Sequence, residues 1–436
     1  MRTGTGTALR RRDLLLAGAA GAAGVAGITG CAPPSDGGSV AAAEVYVGLG
    51  RARAVAILDA TTDRVRGQIA LTPLGARGLP WRIGVGPQGE AGVVPIVPLA
   101  AGGPSVGVIA QSPRSGQGDS KSTGRSGDPR SERPGDQARG NRFGGRCALV
   151  RVGTGAPRTT PYGIVETSQE LTADARGRAY VLIGDGGGAG PSYAAVVDLR
   201  TGALLRHLPL ASPGESVLSL LARPDGERLF AAVWSWQTPL GGWGRGAGPG
   251  RLVSFDTQTG QVRDQAVLPS GAAATDLSLA ALPPTAGSFG LVGGQAVFAV
   301  VADPGPSLDD DWWVPGTRFS LMAFGADGLD GAGTWPLNGR PSAVAMLPDG
   351  ARAYLLESAL FGAWQGRLIS LDLATGAPTR RWPMPTGAMA LAVSPAGKAY
   401  VADPFGDRLW RVDTHTDTLL GDVAMPGAPI ALAARP

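Results

Sequence analysis

Leu391-Ala392-Val393-Ser394-Pro395-Ala396-Gly397-Lys398-Ala399-Tyr400-Val401-Ala402-Asp403 decides the fold, together with Asp407-Arg408-Leu409-Trp410-Arg411-Val412-Asp413-Thr414-His415-Thr416-Asp417 and the run from Leu419 to Met425. Leu391 to Val393 reads as a strand, Ser394 to Gly397 as a turn, and Lys398 to Ala402 as a second strand. Asp407 to Asp413 reads as a third, Thr414 to Asp417 as another turn, and Leu419 to Met425 as a fourth. Side chains alternate between two faces over strand-length runs, with a period of two and not 3.6.

The same phrase recurs upstream, and a repeat of this period governs the whole chain. The turn before the second strand returns as Pro224-Asp225-Gly226 and Pro348-Asp349-Gly350, and more loosely as Ala175-Arg176-Gly177 and Pro87-Gln88-Gly89. The turn after the third strand returns from Asp198 to Gly202, Asp256 to Gly260 and Asp372 to Gly376, with Asp59-Ala60-Thr61-Thr62-Asp63 as a variant. Aspartate accepts from backbone NH groups ahead of it and glycine tolerates positive φ, so both suit tight strand-to-strand turns. Fourth strands close on proline phrases (Leu208-Pro209, Leu268-Pro269, Trp335-Pro336, Trp382-Pro383, Met425-Pro426), where a missing NH marks an edge.

Six complete phrases begin near Trp81, Gly163, Ser216, Thr275, Ser342 and Ala390. A three-strand piece, Glu44 to Leu71, stands in front and a one-strand piece, Ala428 to Pro436, behind. The pattern resembles the seven-bladed β-propellers of the YVTN and NHL repeat class, most closely from Tyr400-Val401-Ala402-Asp403 through Asp417. It departs most in the second and fifth units. The expected fold is all-β: a seven-bladed β-propeller with four-stranded blades, closed by the C-terminal strand joining the N-terminal blade. Six and eight blades are the alternatives. Closure removes the edges that an open array would expose.

Composition agrees. The 436 residues include 69 Gly and 36 Pro with few aromatics, which suits short strands joined by turns rather than helical bundles. At 43% hydrophobic residues the chain has material for a large core. The formal charge of +4 is local. Arg2, Arg10, Arg11 and Arg12 stand against Asp13, and seven arginines plus Lys121 between Arg114 and Arg146 stand against four acids. The remaining body is therefore mildly acidic, and no nucleic-acid partner is expected.

Residues 10 to 31 combine a charged head (Arg10-Arg11-Arg12-Asp13), an apolar Ala/Gly-rich stretch, and Ile28-Thr29-Gly30-Cys31. This order reads as a secretory signal. Arg11-Arg12-x-Leu14-Leu15 resembles a twin-arginine export signal, and Ile28 to Cys31 resembles a bacterial lipobox. The resemblance implies cleavage before Cys31 and diacylglycerol on its thiol, and two acyl chains anchor stably where one does not. The expected organisation is a signal peptide over 1–30, a lipidated, flexible tether over 31–43 and a propeller over 44–436. The expected location is the outer face of the bacterial cytoplasmic membrane. An Arg/Ser/Gly-rich insertion at about 112–145 is too poor in apolar residues to offset its ordering entropy and reads as disordered.

Long departures from the repeat fall between second and third strands: Gly184 to Ser192, Ser235 to Gly250, Asp303 to Thr317, Glu357 to Gly366, and within Pro98 to Arg146. Equivalent loops of radial blades emerge on one face, where growth is either tolerated or used for binding. The candidate binding face carries Trp234, Trp236, Trp243, Trp312, Trp313 and Trp364. Tryptophan stacks on sugars or apolar ligands, and it also packs long loops. Asp309-Asp310-Asp311 offers oxygen ligands but lacks the spaced pattern of a calcium loop.

Catalytic machinery is sparse. Histidine occurs only at His207 and His415, and cysteine only at Cys31 and Cys147, so no triad or zinc spacing presents itself. Gly184-Asp185-Gly186-Gly187-Gly188-Ala189 is followed by Pro191 and a strand rather than by the helix a dinucleotide site requires. The Asp-x-x-Thr-Gly turns faintly resemble quinoprotein blades, but most copies lack the later tryptophan of those repeats. The expectation is a membrane-anchored extracytoplasmic lipoprotein acting as a non-catalytic binding scaffold, with an envelope protein or carbohydrate as partner and no cofactor. The alternative is a propeller enzyme of the lactonase or quinone-dependent dehydrogenase type, because fold does not settle function.

Overall fold

The computed structural model describes residues 43–71, 79–87, 91–98, 106–107, 146–152, 158–164, 170–183, 191–235, 250–269, 271–281, 294–303, 316–331, 333–357, 366–385 and 387–435. The chain enters through β1 (Glu44–Leu49), β2 (Ala54–Asp59) and β3 (Arg64–Ala70). Next come β4 (Leu79–Val85), β5 (Ala91–Pro98), the two-residue β6 (Val106–Gly107), β7 (Arg146–Val152) and β8 (Arg158–Ile164). Then follow β9 (Leu171–Ala173), β10 (Arg178–Ile183), β11 (Ser192–Asp198), β12 (Leu204–Ala211), β13 (Glu215–Ala222), β14 (Arg228–Ser235), β15 (Arg251–Asp256) and β16 (Val262–Val267). The last third holds β17 (Ala273–Ala281), β18 (Gln295–Asp303), β19 (Arg318–Gly325), β20 (Gly333–Leu337), β21 (Pro341–Met346), β22 (Arg352–Glu357), β23 (Gly366–Asp372) and β24 (Pro378–Met384). It ends with β25 (Ala390–Ser394), β26 (Lys398–Asp403), β27 (Arg408–Asp413), β28 (Thr418–Ala424) and β29 (Pro429–Ala434).

The expectation of seven four-stranded blades is corrected. Six sheets have four strands: β29-β1-β2-β3, β9 to β12, β13 to β16, β17 to β20, β21 to β24 and β25 to β28. The remaining sheet, β4-β5-β7-β8, has a fifth strand because β6 pairs with β5. The cause lies in unequal pairing. β7 covers only Ala91 to Val93 of β5, and β6 takes up part of what is left, pairing Gly107 with Val97 and Val106 with Pro98.

Innermost strands close a ring. β4 packs on β9, β9 on β13, β13 on β17, β17 on β21, β21 on β25, β25 on β29, and β29 on β4. β29 also pairs antiparallel with β1, setting Val45 opposite Ala434 and Val47 opposite Leu432, so head and tail share one sheet. Side-chain alternation then serves two seams at once. Val45, Val47, Leu432 and Ala434 join Ala392, Tyr400 and Leu409 on one side. Tyr46, Ala431 and Ala433 join Ile83 and Val85 on the other.

Turns between third and fourth strands follow one rule. Asp59, Asp256, Asp372 and Asp413 each accept a backbone NH two or three residues ahead through Oδ1, at 2.8 Å from Thr61, 2.7 Å from Thr259, 2.9 Å from Thr375 and 2.8 Å from Thr416. The fifth turn residue has positive φ, and it is glycine at Gly202, Gly260 and Gly376 but aspartate at Asp63 and Asp417. Where aspartate replaces glycine, its carboxylate reaches the preceding blade. Asp63 accepts from Lys398 Nζ at 2.7 Å, Tyr400 OH at 2.8 Å and Arg411 NH1 at 2.6 Å. Asp417 accepts from Tyr354 OH at 2.9 Å. At the equivalent position of β18 stands Phe298, whose ring lies 6.2 Å from Trp335 and has no hydroxyl to offer the next turn.

The Asp63 cluster gives a first prediction. Burial works against its charge, but hydrogen bonds from Lys398, Tyr400 and Arg411 outweigh burial and hold its pKa below the ordinary carboxylate value. Asp63→Gly keeps a residue that accepts φ of 57° and removes only the acceptor. The expected loss is about 2 kcal/mol in urea unfolding at neutral pH. Because the folded-state pKa is depressed, the wild-type advantage exists above the unfolded value and is lost as pH falls through the folded one, so the gap closes in acid.

Candidate functional site

Antiparallel order within a blade puts the ends of second strands, the starts of third strands and the starts of innermost strands on one face. Five long connections leave from it, after Pro98, Ile183, Ser235, Asp303 and Glu357, and return at Arg146, Ser192, Arg251, Arg318 and Gly366. One long connection does the opposite. Between Ala281 and Gln295 the chain leaves from the other face, which the sequence reading of a single insertion phase did not anticipate.

The described rim of the insertion face is fastened by ion pairs at the strand ends. Glu215 at the start of β13 pairs with Arg251 at the start of β15. Asp303 and Arg318, which bracket one connection, lie 2.9 Å apart. Arg51 reaches Asp407 at 2.7 Å, linking the head-and-tail sheet to the last blade. The two exposed pairs, Asp303–Arg318 and Arg51–Asp407, are worth under about 1 kcal/mol each, so their effect is to fix where each connection starts. Asp403 is 3% exposed and accepts from Gly406 NH at 2.9 Å, turning the chain so that Phe405 stands 64% exposed on this rim.

Deeper in, the innermost strands are tied across their edges. Thr172 Oγ1 accepts the NH of Ala222 at 3.1 Å, and Asp276 Oδ2 accepts the NH of Val344 at 2.7 Å. These side chains satisfy backbone donors that would otherwise face the ring axis unpaired. Between β4 and the residue before β9, Arg82 NH2 donates to Glu170 Oε1 at 3.1 Å and Arg82 Nε donates to the same oxygen at 3.4 Å. Their side chains are 4% and 5% exposed. Burial pushes the Glu170 carboxyl from its ordinary 4.5 up to about 7, with Arg82 opposing.

That shift has a definite sign. A carboxyl whose folded-state pKa is raised holds its proton longer folded than unfolded, so this group makes stability fall as pH rises from about 4.5 to about 7. Glu170→Gln is expected to flatten that portion of the pH–stability curve, measured by denaturant midpoints across the window. An unchanged slope would place the titration elsewhere.

Of the sequence-chosen residues, Trp234 lies at the end of β14 and is 2% exposed, so its ring is packed inside rather than presented on the face. Trp236, Trp243, Asp309, Asp310, Asp311, Trp312, Trp313 and Trp364 lie outside the described residues, as do Arg11, Arg12, Cys31 and the insertion at 112–145. His207 sits 6.4 Å from the Tyr193 ring, and His415 is exposed in a turn. Among the described residues no group of three His, Cys, Asp or Glu side chains is placed to hold a metal, and no helix is long and apolar enough to cross a membrane. The Arg82–Glu170 pair escaped sequence reading. Its one signal was a charged residue inside the apolar run Ile83-Gly84-Val85 and Trp81, and nothing in the sequence pointed to a partner 88 positions away.

No protein-family model matches the chain, and no curated protein matches it. Solved structures do. The periplasmic gluconolactonase PpgL of Pseudomonas aeruginosa is similar with a TM-score of 0.50 and 17% identity, covering 90% of this chain and 99% of that one. Apo AztD of Citrobacter koseri gives a TM-score of 0.49 and 11% identity, covering 91% and 98%. Hydrazine synthase of Kuenenia stuttgartiensis gives 0.48 and 13%, covering 86% and 90%. The likeness to PpgL is one of fold, and it agrees with the β-propeller described above.

Proposed function

We propose that this chain is an exported, lipid-anchored β-propeller of the YVTN and NHL type that binds a partner on its insertion face without catalysing a reaction on it. The observation that carries this reading is the common exit of five long connections from one face of a ring whose strand ends there are fastened by ion pairs. A rigid ring presenting variable loops is the usual arrangement of a recognition surface. Tryptophans in those connections supply contact area at low entropy cost, toward an envelope protein or a carbohydrate. The resemblance of Arg11-Arg12 and of Ile28 to Cys31 to export and lipidation signals supports a position on the outer side of the cytoplasmic membrane, where two acyl chains would hold it.

Two experiments test the reading. Cys31→Ser is expected to move the protein from the membrane fraction to the soluble fraction, and unchanged fractionation would contradict the anchor. A photo-crosslinking residue at Phe405 or Arg318, on the insertion face, is expected to capture a discrete envelope partner in cells, while one at Ala374, on the other face, does not. Metal analysis and an absorption spectrum of the purified mature protein separate the enzyme alternative: a stoichiometric metal or quinone would overturn the non-catalytic reading and favour a lactonase or dehydrogenase.

A further inference from the structure

The insertion connections and the N-terminal segment leave the ring in opposite directions. β1 and β2 pair Glu44 with Asp59 at one end and Leu49 with Ala54 at the other. Leu49 ends a second strand, so its end belongs to the insertion face and Glu44 to the opposite one. Ala43 O accepts the NH of Ala60 at 2.8 Å, so the chain enters the fold beside the turn that joins β2 to β3.

A second, independent observation lies on that same turn-bearing face. Eight large apolar side chains are exposed among the described residues. Six of them, Val65, Leu204, Leu205, Val262, Leu419 and Leu420, fall within the first three residues of fourth strands, on the outer margin of this face. Single exposed apolar residues are ordinary, but their gathering at one phase of the repeat is not random scatter. Exposed Arg64 and Arg380 stand at the same margin. Apolar tips mixed with arginine suit the headgroup layer of a bilayer, where the first enter the acyl boundary and the second meet phosphate.

We propose that the turn-bearing face is the membrane-facing side of the anchored protein, resting on lipid through this margin, and that the insertion face points away from the bilayer. The proposal rests on the anchor at Cys31. Chain length supports it. From Cys31 to Ala43 the fully extended limit is about 40 Å. To turn the insertion face toward the membrane, this segment would pass around β2 and β3, roughly 10 Å, and then up a strand of some 20–24 Å, before any side chain or turn is cleared. That path leaves almost no slack, whereas the opposite orientation needs none.

The test uses the full-length lipidated protein in vesicles of phosphatidylcholine with a minor fraction of phosphatidylglycerol. Fluorescent labels on Ala374→Cys, in the turn between β23 and β24, and on Phe405→Cys, both in a Cys147→Ser background, report energy transfer to a headgroup acceptor. Transfer is expected to be several-fold stronger from position 374. Equal transfer, or stronger transfer from 405, overturns the orientation while leaving the anchor standing. Failure of the lipidated protein to float with vesicles overturns both. Leu419→Ser with Leu420→Ser, two exposed positions, is expected to halve transfer from 374 with unfolding unchanged, and unaltered transfer would overturn the role given to the apolar margin.

Discussion

Ending the chain at Gly427 is expected to abolish cooperative folding. The deletion removes β29, in which Ala431 and Leu432 are wholly buried and Ala433 is 2% exposed. Replacing one buried leucine by alanine costs about 2–5 kcal/mol. Here an entire strand goes, together with its hydrogen bonds to β1, and both seams it fills are opened. The summed loss exceeds the roughly 5–15 kcal/mol that holds a typical domain folded. Circular dichroism during heating is expected to show no sharp transition, and a peptide of residues 428–436 added in trans is expected to restore one. A truncated protein melting like the parent would mean that the ring does not depend on its tail.

Glu170→Ala is expected to cost about 3–5 kcal/mol, because it leaves the Arg82 charge in a buried site without its carboxylate. The intact pair is not itself a large stabiliser, since burial raises the Glu170 pKa despite the guanidinium beside it. Two consequences separate these statements. Arg82→Met with Glu170→Leu, which removes both charges and keeps volume, is expected to recover most of the loss in urea unfolding. A double variant as unstable as Glu170→Ala would show that the single substitution acts through cavity formation instead.

The strands were legible because period-two alternation and turn residues are local. Asp-x-x-Thr-Gly marks a turn whose fifth residue needs positive φ, and Gly202, Gly260 and Gly376 have it. The fifth strand of one sheet was not legible, since β6 spans only two residues and owes its existence to the unpaired end of β5. Nor was the exit of the Ala281 to Gln295 connection, which interrupts a phrase between its first and second strands. The site was less visible still. Trp234 was read as part of a binding face by its position in a phrase, but the strand buries it. Arg82 and Glu170 meet only because two innermost strands are neighbours in the closed ring, a tertiary fact that no local pattern carries.

Exchange of register partners tests the closed ring most directly. Arg435 NH donates to Glu44 O at 2.9 Å, which makes Val45 and Ala434 the next, non-hydrogen-bonded pair, with side chains on one seam. Such pairs bring Cα atoms to about 4.5 Å, within disulfide range. In a Cys147→Ser background, Val45→Cys with Ala434→Cys is expected to form an intramolecular disulfide on mild oxidation and to raise the melting temperature. Tyr46→Cys with Ala434→Cys, whose side chains face opposite seams, is expected not to form one. Equal cross-linking of both pairs, or of neither, would contradict a sheet shared by head and tail.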